Sequence, residues 1–222
     1  MNLSMEIPNK SLFVEGAKAF GIDLDKKRIE AFDLYLKELL KWNRKINLTA
    51  IRSEKGILLK HFLDSFSAYP YLPEGSFILD IGSGAGFPGI PLKIAQPTIE
   101  LTLIDSVRKK VDFQRHVIRV LGLRGAEAIH GRVQDRGILQ DLGGRFDIVL
   151  SRAFSDLQTL LALSLPFLKP HGTVIAMKGE VEDEEMRILT GTGGIPYRLQ
   201  RIIPLILPFS SFRRTILLFE KI

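Results

Sequence analysis

The segment Phe77-Ile-Leu-Asp-Ile-Gly-Ser-Gly-Ala-Gly-Phe-Pro-Gly-Ile-Pro-Leu92 constrains this chain more than any other feature. A short apolar run ends in an acid and passes directly into a turn dense in glycine. Ile78, Leu79 and Ile81 read as a parallel strand covered on both faces. Gly82, Gly84 and Gly86 allow the backbone to turn sharply and to approach a ligand without Cβ obstruction. About twenty residues on, a second apolar run, Leu101-Thr-Leu-Ile-Asp105, also ends in an acid, the spacing at which a carboxylate accepts hydrogen bonds from two ribose hydroxyls. The two runs together describe a nucleotide-type cofactor loop in an α/β protein.

Two cofactors fit such a loop. Gly84-Ala-Gly-Phe-Pro-Gly89 matches the dinucleotide fingerprint GxGxxG, in which a free helix N-terminus binds a pyrophosphate. Phe87, Pro88 and Pro91 crowd that helix start, and Asp80 puts negative charge beside the proposed anion. S-adenosyl-L-methionine carries an ammonium and a sulfonium at its amino-acid end, so an acid at the strand tip favours it. Asp80 has a plainer role as well: Asp readily caps a following turn by accepting from backbone N–H groups. The two roles are compatible.

Before the loop the pattern is helical. Leu12, Phe13, Ala17 and Phe20 form one apolar stripe ahead of Gly21. Ile29, Phe32, Leu36, Leu39 and Leu40 form another after Asp25, a suitable N-cap. A third helical segment runs from about Ser53 to Tyr69, before Pro70 and Pro73. Residues 1–74 are therefore expected to be an N-terminal helical subdomain and residues 75–222 the cofactor-binding domain. In the latter, strands are expected at 77–81, 101–105, 126–130, 146–151 and 172–177, with helical runs such as 107–121 and 156–168 between them. The connections are long enough for crossovers, which gives a doubly wound, mostly parallel sheet. Tyr197–Leu207 and Arg213–Glu220 are strand-like and joined only by Pro208-Phe-Ser-Ser-Phe212, so they should close the sheet as an antiparallel hairpin. The expected fold class is thus a seven-stranded, Rossmann-like class I methyltransferase sheet that uses S-adenosylmethionine, with a C-terminal hairpin and an N-terminal helical appendage. Thr190-Gly-Thr-Gly-Gly194 opens no helix and reads as a flexible turn rather than a phosphate loop.

The chain lacks cysteine, which removes disulfide redox chemistry, thiolate zinc sites and Cys nucleophiles. Neither a membrane span nor a basic-then-apolar signal peptide is evident, and a cytoplasmic protein is expected. A net charge of +6 favours a polyanionic partner. From Lys26 to Lys45 there are seven basic residues against three acids, ending in Lys41-Trp-Asn-Arg-Lys45. Arg108-Lys-Lys110 opens a second basic helix. Lys41, Arg44, Lys45, Arg108, Lys109, Lys110 and Arg132 are the candidate RNA contacts, as a phosphate track. The competing reading is a solvated face with Trp42 packed into the helical core.

Arg152, at the end of the run Phe146–Ser151, falls on the carboxyl edge where open α/β sheets bind ligands. The Asn/Asp-Pro-Pro-aromatic motif of many exocyclic-amine methyltransferases is missing there, and without Cys the covalent route to pyrimidine C5 is closed. Guanine N7 needs neither, because its in-plane lone pair attacks the sulfonium methyl without prior proton removal, so positioning and water exclusion suffice. Arg152 is the candidate catalytic residue through guanine O6 or a phosphate; its plain alternative is an ion pair with a neighbouring acid. Gly131-Arg-Val-Gln134 follows the third strand, where it can flank an adenine ring. His61 and Asp64 read as packing and capping residues, and no metal spacing is found.

Asn47-Leu-Thr-Ala-Ile51, His61-Phe-Leu-Asp-Ser65, the glycine segment from Asp80 to Pro91, Asp105-Ser106 and Ser151-Arg-Ala-Phe154, in that order, resemble the bacterial small-subunit ribosomal RNA guanine-N7 methyltransferases, formerly called glucose-inhibited division protein B. The likeness runs from about residue 41 to 179. It implies methylation of one guanine in the decoding-region loop of 16S rRNA, as free RNA or within the 30S subunit or an assembly intermediate. It also implies cofactor contacts at Gly82, Phe87, Val133, Gln134 and Arg152, beside those that the loop itself suggests at Asp80, Gly84, Gly86 and Asp105. Gln134 stands where the family often has Glu, a departure that a backbone contact would tolerate. Nothing in the sequence demands a protein partner or more than a monomer. A nicotinamide-dependent oxidoreductase would instead bind NAD(H) and not S-adenosylmethionine; a non-catalytic RNA-binding protein would bind RNA and transfer no methyl group.

Overall fold

The computed structural model describes residues 7–152, 156–181 and 196–222; Ala153, Phe154 and the 190–194 turn lie outside them. Strands β1 (Phe77–Ile81), β2 (Glu100–Asp105), β3 (Ala126–His130), β4 (Phe146–Arg152), β5 (Leu168–Lys178), β6 (Tyr197–Ile206) and β7 (Arg213–Lys221) form a single sheet. Its order is β3-β2-β1-β4-β5-β7-β6. The first five strands pair in parallel, and β7 runs antiparallel to both β5 and β6. The expected doubly wound sheet with a terminal hairpin is what the chain forms. From β1 the chain builds outward through β2 and β3, then returns to lay β4 on the other side of β1. That reversal opens a crevice at the carboxyl ends of β1 and β4, the place where such sheets bind ligands.

Strand alternation divides the core in two. Ile78, Leu101, Leu103, Ile148 and Leu150 face a layer that includes Phe13 of helix α1 (Ile7–Lys18), Phe32 and Tyr35 of α2 (Lys26–Ile46), Phe62, Ile90 of α5 (Gly89–Ala95) and Phe113 of α6 (Arg108–Leu121). Leu79, Ile81, Val149 and Val174 face α7 (Arg136–Leu142) and α8 (Leu157–Ser164). The helices of the first 71 residues thus share an aromatic core with one face of the sheet. Phe13 meets Phe32 edge-on at 4.9 Å, and Tyr35 stacks on Phe87 at 5.5 Å.

Local chemistry sets the boundaries. Asp25 caps α2, its side chain accepting from the Arg28 amide at 2.7 Å, as the sequence suggests. Gly122 ends α6 in the left-handed conformation. The 156–168 run is shorter than expected: Asp156 caps α8, but the helix stops at Ser164, two residues before Pro166, which cannot donate a helical hydrogen bond. Strand β5 correspondingly starts at Leu168, not 172, pairing with Phe146 across a bulge; the turn-like Lys169-Pro-His-Gly hides that extension in the sequence. The third helical segment is broken into α3 (Glu54–Ile57), a wide π-turn at Leu58–Leu63 and α4 (Asp64–Phe66). Such π-turns interrupt the helical period and recur at functional sites. Among the described residues no helix is long and apolar enough to cross a membrane.

The glycine loop is packed so closely that one of its glycines has no room for a methyl group. At Gly86, with φ of +94°, an added Cβ would lie 2.4 Å from Ile90 Cδ1 and 2.9 Å from the Tyr35 hydroxyl. Gly122 has a similar backbone, φ of +62°, in open space. Gly122→Ala should therefore cost only the left-handed strain, about 1 to 2 kcal/mol. Gly86→Ala adds overpacking and should cost about 2 to 4 kcal/mol. Urea unfolding midpoints at fixed m-value measure both, and equal losses would contradict the packing account.

Candidate functional site

Glycine loop and strand tips are tied together by backbone-directed hydrogen bonds. The Asp105 carboxylate, at the end of β2, accepts from the Gly84 amide and the Val107 amide, both at 2.8 Å. It thereby fixes the loop after β1 and the start of α6 at once. Gln114 of α6 donates to Ser83 Oγ at 2.8 Å and to the Gly84 carbonyl at 2.7 Å. From α2, the buried Tyr35 hydroxyl donates to the Ala85 carbonyl at 2.6 Å. Gly82 has φ of +71° with nothing within 4 Å of a Cβ position, so the loop keeps open space on its outer side.

Asp80 bears on the dinucleotide alternative for this loop. Its Oδ2 accepts from the Gly89 amide at 2.8 Å, so the first N–H of α5, the one a pyrophosphate would need, is already taken by a carboxylate. Asp80 is fully buried and its Oδ1 has no partner among the described residues. Burial pushes its pKa from 3.8 up to about 7, against the opposing pull of the Gly89 amide and the Arg152 guanidinium; the nearby Asp105 adds to the rise. The turn-capping role read from the sequence is present, and the orphan oxygen is left for a further donor.

A cleft of about 150 Å³ opens beside the loop, lined by Gly82, Asp105, Val133, Gln134 and Arg132, together with residues the sequence reading did not single out for the site, among them Ile104, Ser106 and Leu163. Loop and strand ends from β1, β2 and β3 thus converge as expected. Leu163 comes from α8, and no motif announces it. Gly84, Gly86 and Asp80 shape the wall from behind rather than line the cleft. Phe87 is also buried, packed against Tyr35 and His61, with the Arg152 guanidinium 5.1 Å from its ring centre.

Around Arg152 lies a network that sequence reasoning missed in part. Arg152 donates to the Lys60 carbonyl at 3.1 Å, to Asp64 Oδ2 at 3.3 Å and to His61 Nδ1 at 3.1 Å. Asp64 also accepts from Arg214 of β7 at 2.7 Å. The plain alternative for Arg152, an ion pair, is therefore realised, and His61 and Asp64 hold a functional candidate rather than only pack. Their spacing of three residues was visible; their partner, some 90 positions away, was not. His61 stacks on Phe87 at 4.4 Å, and its Nε2 lies 2.8 Å from Thr49 Oγ1. Burial, reinforced by the Arg152 charge, lowers the His61 pKa to about 3, so the ring is neutral at physiological pH.

The basic candidates fall in two groups. Lys41 and Arg44 line a groove of about 570 Å³ with Lys37, Asn43, Asn47 and Arg52; Lys45 is exposed on the same helix end. Arg108 and Lys109 are exposed at the start of α6, while Lys110 stands 3.9 Å from Asp105. Trp42 packs on α6, against Phe113 and His116, and does not join the cations. Glu38 bridges the helices, 2.6 Å from His116 and 3.5 Å from Lys41. Among the described residues no group of three His, Asp or Glu side chains could hold a metal.

A parallel sheet ending in an antiparallel hairpin, with an acidic glycine loop and a strand-tip carboxylate at the switch point, is the fold of S-adenosylmethionine-dependent methyltransferases. The chain superposes on the crystal structure of such a methyltransferase from Aquifex aeolicus with a TM-score of 0.58, covering 79% of this chain and 97% of that one at 17% identity. More specifically, residues 28–192 match the family model described as rRNA small subunit methyltransferase G. A relative named ribosomal RNA small subunit methyltransferase G from Geobacter metallireducens is 42% identical over 220 residues, 98% of each chain. Another of that name, from Acetivibrio thermocellus, is 39% identical over 97% of this chain and 90% of its own. This chain belongs to the rRNA small subunit methyltransferase G family, as the sequence motifs implied.

Asp80→Asn isolates the buried charge, because the amide oxygen can still accept from Gly89. With a folded-state pKa above the unfolded one, ionising Asp80 disfavours the fold. Wild-type stability should therefore fall as pH rises from about 4 to about 7. The Asn variant should lose this part of the pH dependence and be the more stable protein at pH 8. Thermal melts across that range measure it; parallel curves would mean that Asp80 is not the group responsible.

Proposed function

We propose that this protein is an S-adenosylmethionine-dependent methyltransferase that modifies N7 of a single guanine in the decoding-region loop of 16S rRNA. The observation that carries the reading is the cleft between the glycine loop and Gly131–Gln134, with Asp105 at its side, in a chain of the methyltransferase G family. Two features suit the cofactor: the buried orphan oxygen of Asp80, for an ammonium, and the open space at Gly82, where backbone can approach a ligand. Asp105, whose carboxylate oxygens each keep a lone pair, would take the ribose hydroxyls. Val133 and Gln134 would flank the adenine, and Arg152 would meet the cofactor carboxylate or the target base. Bound there, S-adenosylmethionine supplies a methyl group on a positively charged sulfur.

The residues at the transfer edge favour a target that needs no deprotonation. His61 is neutral with both ring nitrogens engaged, and Asp64 is held by two arginines, so neither is a free general base. Guanine N7 has an available lone pair, and catalysis reduces to alignment and exclusion of water. The N-terminal helices are the RNA-facing region in this reading. The groove at Lys41 and Arg44 would carry a stretch of backbone phosphates, with Lys45, Arg108, Lys109, Lys110 and Arg132 as flanking contacts.

Methyl transfer from labelled S-adenosylmethionine to 30S subunits lacking the modification tests the proposal, with the labelled nucleoside identified by mass spectrometry. The expected product is N7-methylguanosine at one position. Cofactor binding without transfer would point to another acceptor, and failure to bind the cofactor would remove the reading altogether. The groove is tested separately. Replacing both Lys41 and Arg44 with alanine should weaken RNA binding at low salt and flatten the slope of log K against log salt by about one to two. Cofactor affinity should not change.

A further inference from the structure

The Thr49 hydroxyl is a hydrogen-bond donor without an acceptor among the described residues. Thr49 follows α2 in a loop that Asn43 clamps from both sides, accepting from the Thr49 amide and donating to the Thr49 carbonyl, each at 2.9 Å. Its Oγ1 accepts from the Ile51 amide at 3.1 Å and lies 2.8 Å from His61 Nε2. The direction of the His61 contact follows from its other nitrogen. Nδ1 faces an Arg152 nitrogen at 3.1 Å, and a guanidinium only donates, so Nδ1 must accept. The ring's single proton is then on Nε2 and is donated to Thr49, in keeping with the lowered pKa of His61. Both lone pairs of the hydroxyl are thereby used. Its proton has no protein acceptor among the described residues, and Thr49 is only half-buried.

The three groups form a one-way relay: Arg152 donates to His61, His61 to Thr49, and Thr49 to whatever lies beyond. A chain of this kind polarises each member and strengthens the terminal donor. Because it begins at the residue on the carboxyl end of β4, it belongs to the transfer edge rather than to the groove further along α2.

We propose that Thr49 is a specificity-determining residue whose hydroxyl donates to O6 of the target guanine. This rests on the reading of the site as a guanine-N7 methyltransferase. When N7 faces the transferred methyl group, O6 is the acceptor beside it; adenine presents an N6 amine at the same place and would set donor against donor. As N7 takes the methyl group the ring becomes positive and O6 a poorer acceptor, so the bond serves recognition more than rate. Its loss should raise KM and leave kcat nearly unchanged.

A cycle between side chain and base atom tests this. Methyl transfer is measured for wild type, Thr49→Ser and Thr49→Val on reconstituted 30S subunits carrying either guanine or 2-aminopurine at the target position. 2-Aminopurine keeps N7 and the N2 amine and lacks O6. On guanine, the Val variant should show KM raised roughly tenfold, the equivalent of one lost hydrogen bond in a partly buried site, and the Ser variant should remain near wild type. On 2-aminopurine, wild type and Val should be alike. A Val penalty of equal size on both substrates would overturn the proposal, since it would place the donor on a phosphate or the cofactor, or make Thr49 a purely structural support for His61. No Val effect on guanine would overturn it too. If wild type makes no N7-methylguanosine on the guanine substrate, the underlying reading of the site fails, an outcome distinct from either of these.

Discussion

Two carboxylates on backbone amides hold the loop on which the rest of this site depends. A turn built from three left-handed glycines has little conformational preference of its own, because glycine has the largest backbone entropy to lose on folding. Asp105 on the Gly84 amide and Asp80 on the Gly89 amide supply the missing constraint, one at each end of the turn. Gln114 and Tyr35 complete the clamp from two separate helices. The loop is thus shaped by the layer that carries the N-terminal helices, which explains why those helices share a core with the sheet. Asp80 contributes in a second way. Held inside the protein with a pKa near 7, it is a costly group for the fold to keep, and residues that oppose folding in this manner cluster at functional sites.

Positive charge at the transfer edge is organised in the same spirit. Arg152 and Arg214 share the carboxylate of Asp64, and Asp80 is a further acid acting on Arg152 in this mostly buried place. Burial lowers the pKa of Arg152, while Asp64 and Asp80 oppose that shift and keep it a cation. Such an arrangement has two consequences. The guanidinium is fixed by bonds to Lys60, His61 and Asp64 and costs little reorganisation when a ligand arrives. The remaining N–H groups of such a guanidinium suit an anionic or carbonyl-bearing ligand, since an arginine only donates.

Much of this was legible in the sequence, and the reason is local. The strand β1, its acid, its glycines and the second acid at Asp105 are short-range patterns whose geometry follows from φ/ψ preference and strand period, so the sheet and the loop at its carboxyl edge could be placed directly. Asp25 as a cap and the terminal hairpin were readable on the same grounds. What escaped depends on contacts between distant segments. The joining of His61 and Asp64 to Arg152 and Arg214 links segments up to 150 positions apart, and Leu163 enters the cleft from a helix with no distinguishing motif. The π-turn at Leu58–Leu63 escaped for a different reason: its apolar residues fit an ordinary helical stripe, and only the tertiary packing shows that the period has slipped. Strand β5 was read too short because Pro170 and Gly172 signal a turn that the sheet overrides with a bulge.

These features bear on how, in the proposed function, a small enzyme would act on a very large substrate. A base-catalysed transfer would need a titratable group poised near neutral pH and open to the target; among the described residues His61 is held in the relay, Asp64 is held by two arginines, and Asp80, though its pKa is near 7, is fully buried. What the edge offers instead is fixed direction, with donors whose partners inside the protein determine where their remaining hydrogens point. Catalysis by positioning places its demands on binding rather than on pKa, and so calls for a large, charge-complementary docking surface. The basic groove on α2 joins the edge physically, because the loop that carries Asn47 into the groove continues through Thr49 to His61. Asn43 lines the groove and clamps Thr49 with two hydrogen bonds, so a polyanion seated among Lys41, Arg44 and Arg52 would bear on the same loop that sets the orientation of the relay. In the proposed function, docking and alignment would meet in this one short segment, so that a seated polyanion and the donor relay bear on the same loop.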